Sequence, residues 1–501
     1  MTKQIHAYCF AFMLASPCLA QESTMKPHSA LQYAENPPME VITRMPPPLP
    51  KATEKFDIRP GYKLITTMNE FRDAIRQSNQ KIRLKPGIYR AKTMDAPLDL
   101  PFREGIPGVG RNRKKGYQEH IFAVNGSNNF FDLRGVVFET PVSVVSKLTG
   151  KVHAADSWHI NGARNTFIGG YFRNVIDMPY PTYNPTGNEF EVTGDHNRFF
   201  DCTFVIQGSI PYGYTDFYGK GAGSYGRLDK HCFMSIDHAN DTQLIRCKVY
   251  QQSFGHCVHF HNVDGALIKD CFFTGAIRPT NDIFKEVKGR AVDNDFHMLY
   301  RKKQPIPRDR MIPLTEDGIR SYDNVRNIKV INTTVERMRG AIQLLCTGDV
   351  ELENVTVLEP GDFSFDVSAV KGSKIVMKNC RSDVAYNPVF NLTRGEIPKK
   401  ATYELTLLSP PEGSEPTDRT SLGIICGQQC TFILKEDLKR PLPEKVNYLI
   451  CGGRQELTSS TIENRTKAKL ILEKNVTNCK ITSIGPVEDR GENNRVIQIR
   501  R

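Results

Sequence analysis

One phrase recurs along this chain: an apolar-x-apolar run, a short polar turn, then a second apolar run. It reads WHINGARNTFIGGYF from Trp158, FEVTGDHNRFFDCTF from Phe190, MSIDHANDTQLIRCKV from Met234 and VHFHNVDGALIKDCFF from Val258. Later copies begin at Ile319, Ile342 and Phe365. Val258 follows Met234 by 24 residues, and the last two steps are 23 each. Apolar residues alternate with period two, so each run is a strand with one face turned inward. An all-α reading fails on this period, and a β-propeller needs longer repeats of four strands. Phrases that stack at constant spacing build a solenoid. The expected fold class is all-β: a single right-handed parallel β-helix with an N-terminal capping helix and long loop insertions. The larger gaps, Phe190 to Met234 and Val258 to Ile319, mark those insertions or additional coils.

The chain has 501 residues, which a solenoid accommodates as one body. Residues 1–20 read as a signal peptide: Lys3, the apolar run Ala7 to Ala15, and Cys18-Leu19-Ala20 before a cut at Gln21. That run is too short to span a bilayer, so a secreted or periplasmic protein is expected. Residues 21–55 form a Pro-rich linker ending in MPPPLPK, and residues 56–501 the β-helix domain. Near its start Thr67 and Glu70 have capping-box spacing, and Phe71 and Ile75 give a helical apolar face. A helix there would cover an otherwise open sheet edge. A strand through Ile82 and Leu84 follows, ending at the turn Pro86-Gly87.

Thirteen cysteines in an exported chain raise the question of disulfides. Cys202, Cys247, Cys271 and Cys380 share one position in the phrase and stack as small core residues. Cys426, Cys430 and Cys451 are left open as a pairing set. The net charge of +12 favours an acidic partner. Export and the lack of a nucleic-acid motif turn that expectation toward an anionic polysaccharide, bound by a monomer with no membrane or nucleic-acid partner.

With apolar residues inward, the first outward column reads His159, Glu191, Ser235, His259, Arg320, Gln343 and Asp366. The second reads Asn161, Thr193, Asp237, His261, Tyr322, Leu345 and Ser368. Neighbours within a column lie about 4.8 Å apart where coils are consecutive. Two histidines, two carboxylates, an arginine and a tyrosine thus converge on one solvated face. The insertions bracket it. One, between the Phe190 and Met234 phrases, is rich in Gly and Tyr, includes Tyr214 and ends in Arg227, Lys230 and His231. The other carries Arg278, Asp282 and Arg290, then Glu316 and Asp317. Loops this long in a compact solenoid are more often functional than not.

The phrase IRLKPGIYR after an amphipathic helix, followed by N-x-x-φ-x-x-C-x-F coils, resembles the pectin-lyase-like superfamily over roughly residues 60–500. That resemblance implies a β-helix and a polysaccharide lyase, uronate epimerase or glycoside hydrolase, without choosing among them. SIDHANDTQLIRCKVY also resembles the catalytic strand of alginate C5-epimerases, with Ile236-Asp237-His238 in place of their Asp-Pro-His-Asp.

A uronate substrate needs its carboxylate neutralised, a base for the C5 proton and an acid for the leaving oxygen or the opposite face. His259 or His261 is expected as base, oriented by Asp237. Arg320 or Arg227 would hold the carboxylate, and Tyr322, Lys230 or His231 would be the acid. Glu191, His159, Tyr214, His256 and Arg278 complete the expected substrate contacts. No metal ligands are named; a Ca²⁺ could replace the arginine. Two other readings stand beside this one. A glycoside hydrolase would use paired carboxylates drawn from Glu191, Asp237, Asp293, Asp295, Glu316 and Asp317. A non-catalytic protein would only bind glycan through the histidine and tyrosine columns.

Overall fold

Alternating apolar positions are realised as stacked parallel strands. The computed structural model describes residues 42–50, 60–91, 98–100, 118–144, 156–177, 186–207, 230–288, 290–293, 295–297, 305–306, 308–309, 311–370, 372–384, 388–392, 396–411 and 421–499. One sheet of 14 strands, here the front sheet, takes one strand from each successive coil, with Leu98–Leu100 added antiparallel at its N-terminal edge. Its central strands are Gln118–Val124, Asp156–Ile160, Thr186–Val192, Lys230–Asp237, Val258–His261, Ile319–Ser321, Gly340–Cys346 and Phe363–Ala369. The remaining strands of the coils, such as Thr166–Ile168 and Tyr171–Val175, join a 23-stranded sheet. The fold is a right-handed parallel β-helix, the hand that parallel crossovers take.

Trp158, Phe190, Met234, Val258, Ile319, Ile342 and Phe365 are successive Cα partners in the front sheet. Phe190 pairs directly with Met234 and Val258 with Ile319, so both long gaps are insertions within one coil. The first lies largely at 208–229, outside the described residues. The second folds on itself: Ala276–Pro279 pairs antiparallel with Met311–Pro313 and with Ile42–Thr43. Its own small core is Ala276, Ile283, Ala291, Ile306, Ile312 and Leu314. The described part of the Pro-rich segment is docked on the solenoid. Arg44 pairs with Glu336 at 2.8 Å, and the Tyr171 hydroxyl donates to the Pro47 carbonyl at 3.1 Å.

Inward residues fill the coils in columns. Phe122, Trp158 and Phe190 stack with centroids 3.9 and 5.5 Å apart, and Phe138, Phe172 and Phe204 at 5.2 and 5.1 Å. Each such pair contributes about 0.5–1.5 kcal/mol beyond its buried area. The helix Met68–Ala74 has the expected capping box between Thr67 and Glu70. Its Phe71 lies 5.4–6.4 Å from the rings of Phe122, Phe131, Phe138 and Trp158. Cys202, Cys247, Cys271 and Cys380 are buried free thiols as expected, and so are Cys426, Cys430 and Cys451.

The turns carry their own stack. Asp201, Arg246, Asp270, Asn332 and Asn354 all have φ between 50° and 55°, a left-handed conformation that Asn and Asp tolerate better than most residues. At another corner an asparagine ladder runs through the interior. The backbone amides of Gln80, Asn129 and Asn165 donate to the side-chain carbonyls of Asn129, Asn165 and Asn197 at 2.7, 3.1 and 2.9 Å. The amide nitrogens of Asn165 and Asn197 donate to the carbonyls of Gly126 and Gly162. A Cβ on Gly162 would stand 1.9 Å from the Gly126 carbonyl, so only glycine admits that approach.

Candidate functional site

The two outward columns are in the expected register. His159, Glu191, Ser235, His259, Arg320, Gln343 and Asp366 are successive partners, and Asp237 pairs with His261. The columns are not a solvated face, however. Glu191, Ser235, Asp237 and His259 are 5–8% exposed, and Gln343 and Asp366 nearly closed off. Outward side chains in neighbouring coils stand close enough to bury one another.

A charge network lies at the middle of this face. Glu316 and Asp317 enter just before the Ile319–Ser321 strand, with side chains 1% exposed. The Lys230 ammonium bridges both Glu316 oxygens at 2.9 and 2.8 Å. Arg339 donates to Asp317 at 3.0 Å and reaches Glu316 at 3.5 Å, and Arg320 pairs with Asp317. Burial pushes Glu316 up, but His256, Arg339 and Lys230 together hold it below the usual carboxylate range. Three cations against two carboxylates leave this group net positive when its histidine is neutral.

His256 links the network to Tyr322. Its Nδ1 accepts from the Asp317 backbone amide at 3.3 Å, so its Nε2 carries the proton. That nitrogen is 2.7 Å from the Tyr322 hydroxyl and 3.2 Å from Glu316 Oε2. Burial lowers the His256 pKa, with Glu316 and Asp317 acting against it. Burial raises the Tyr322 phenol above its ordinary value. The Tyr322 ring stacks on His261 at 4.6 Å, and the Arg320 guanidinium lies 4.4 Å from its centroid. His259 stands beside them, 5.5 Å from His261 and 6.1 Å edge-on to Tyr322. Its Nδ1 is buried without a hydrogen-bond partner among the described residues. Burial, then the neighbouring His256 and His261, hold its pKa well below the ordinary histidine value.

Three expected roles are not met. Asp237 does not orient His259 or His261; its carboxylate binds the next residue, His238, at 2.7 Å. Burial raises that carboxyl, with His238 opposing. His231 does not reach the face; it is fully buried, with Nε2 3.1 Å from Glu189 in a cluster with Ser157 and Asn174. Arg278 is buried in the second insertion on Asp282 and Glu286, at 2.9 and 3.0 Å, where it holds that subdomain together. Tyr214 and Arg227 lie outside the described residues. The sequence reading missed Arg339, His238, Glu189, His120 and Asp156. For Arg339 the available signal was ERMRG, two arginines at the turn into an inward strand.

At the N-terminal end of the same column, the His159 ring lies 4.5 Å from that of His120, tilted by 32°, with Asp156 beside them. Glu191 Oε2 is 3.6 Å from His159 Nδ1.

No protein-family model matches the chain, and no curated protein matches its sequence. Among solved structures it is similar to a PL6 alginate lyase in complex with a trisaccharide, at TM-score 0.43 and 8% identity over 87% of this chain and 89% of that one. It is also similar to the DFA-IIIase of Arthrobacter chlorophenolicus A6, at TM-score 0.38 and 11% identity over 90% and 98%. The polygalacturonase of Erwinia carotovora ssp. carotovora follows at 0.29 and 11%, over 90% and 98%. At these scores the fold rests on the strand register itself.

Proposed function

We propose that this protein is an exported carbohydrate-active enzyme that removes the C5 proton of a uronate unit in an acidic polysaccharide. One observation carries the reading: a buried His259 imidazole, its Nδ1 without a hydrogen-bond partner among the described residues, stands 6.1 Å edge-on to the Tyr322 ring and beside a network of three cations and two carboxylates. His259 accepts the C5 proton, because burial keeps it unprotonated at neutral pH. The electron pair left behind forms the C4–C5 double bond as the C4–O bond breaks. Tyr322 gives its proton to the departing oxygen; His256 Nε2–H donates to the phenol oxygen, which leaves the phenol proton for that transfer. Lys230, Arg320 and Arg339 lower the energy of the negative charge that builds on the carboxylate. If the C4–O bond holds and the proton returns from the opposite face, the same pair performs epimerisation.

A second reading is favoured by one observation. Burial raises Asp237, as a general acid for glycoside hydrolysis requires, with Glu191 nearby as the second carboxylate. A panel of uronate and neutral polysaccharides separates these chemistries. Ultraviolet absorbance of an unsaturated uronate marks elimination, and deuterium exchange at C5 without cleavage marks epimerisation. New reducing ends without unsaturation mark hydrolysis and overturn the proposal. Binding without chemistry on every substrate overturns it as well.

A further inference from the structure

The histidine pair at the N-terminal end of the outward column is built like a metal site. His120, Asp156 and His159 each present a ligand atom within 4.8 Å of the others. Each is oriented by a neighbour. His120 Nδ1 lies 3.1 Å from the Asp156 backbone carbonyl and donates to it. Asp156 Oδ1 accepts from both the backbone amide and the side-chain amide of Asn188 at 3.0 Å. His159 Nε2 is 3.3 Å from the Thr193 hydroxyl. Where Nε2 donates there, Nδ1 keeps its lone pair; that nitrogen is buried, makes no hydrogen bond among the described residues and faces Glu191 Oε2 at 3.6 Å. A carbonyl, an amide and a hydroxyl that fix ligand tautomer and direction are the usual outer contacts of a metal-binding triad.

We infer that His120, Asp156 and His159 bind a divalent first-row transition ion, with Zn²⁺ the best match to two imidazoles and one carboxylate. Imidazole suits Zn²⁺, whereas Ca²⁺ takes six to eight oxygens. Tetrahedral Zn²⁺, with bonds of roughly 2.0–2.1 Å, holds its ligand atoms about 3.4 Å apart. The three side chains therefore close by an ångström or so on binding. Three protein ligands leave a fourth position for water or an incoming oxygen. The site is three coils from His259 in one column, about 14 Å away. On the function proposed above, the ion adds a fixed positive charge at that end of the outward column. Metal binding itself does not depend on that function.

The test uses the full-length chain, untagged and stripped with a chelator, titrated with Zn²⁺ against a chromogenic competitor. One ion per chain is expected, with tetrahedral d–d absorption when Co²⁺ replaces Zn²⁺. His159→Ala and His120→Ala are each expected to weaken binding at least about tenfold, and His196→Ala, at a half-buried turn position, to leave it unchanged. Circular dichroism checks that each variant is folded; the wild-type Co²⁺ spectrum reports the ligand geometry without any variant. Absence of stoichiometric binding, unchanged affinity in folded His159→Ala, or preference for Ca²⁺ over Zn²⁺ overturns the inference.

Discussion

The front sheet is one continuous ladder, yet its two halves carry different outward chemistry. From His159 to Tyr322 the outward residues are histidine, carboxylate, arginine and tyrosine, largely buried against one another. Beyond Gly423, the Gly423–Ile425, Tyr448–Cys451 and Lys469–Leu472 strands keep the same inward pattern but place Ile424, Ile450 and Ile471 outward, half-buried. Charges there form surface pairs such as Lys469 with Glu488 at 2.6 Å. Stacking coils therefore does not require the polar network. Closing off Glu316 and Asp317 against Arg339, Arg320 and Lys230 carries a desolvation cost that the outward face of the C-terminal strands avoids.

Four measurements bear on that contrast. The largest effect expected is on turnover: His259→Ala or Tyr322→Phe should each lower the rate about 10²–10⁴-fold with the fold retained, followed by unsaturated-uronate absorbance. Full activity in both would remove the contrast's functional meaning. Next, Glu316→Gln leaves Lys230 and Arg339 short of countercharge in a closed site. It should cost about 3–5 kcal/mol of stability in denaturant titration.

The third effect is a pH dependence confined to one half. His256, His259 and His261 all have folded pKa values below the ordinary histidine value, so the unfolded chain binds protons that the native one refuses. Their contribution is complete above the unfolded value of about 6.5 and is lost as pH falls below it toward the folded values. No histidine follows His297. Hydrogen exchange at pH 5 against pH 7 should therefore show protection lost first around residues 230–261, before residues 448–483. Uniform loss along the solenoid would contradict this. The smallest effect is Glu488→Gln, in an exposed pair, where no change in thermal midpoint is expected.

The register was legible because period-two alternation fixes both the side and the partner of every strand residue. Seven outward positions could be aligned without coordinates. The depth of those positions was not legible, since burial depends on what neighbouring coils and insertions lay across them. Lys230 with Glu316 spans 86 residues and an insertion, beyond any local pattern. Asp237 was misassigned because its adjacent His238 sits at φ 55°, a turn geometry that swings its ring back to the carboxylate. His120 could have been found by carrying the Trp158 register one coil earlier, where His120 pairs with Asp156.

The asparagine ladder has a consequence for how such a chain can change length. Each amide from Asn129 to Asn197 is satisfied by atoms one coil away. Removing a whole coil rejoins like to like, whereas removing part of one strands a buried donor. The ladder works as an integer counter. Whole turns can be gained or shed, and all other length variation is pushed out into loops such as the insertion between Val258 and Ile319.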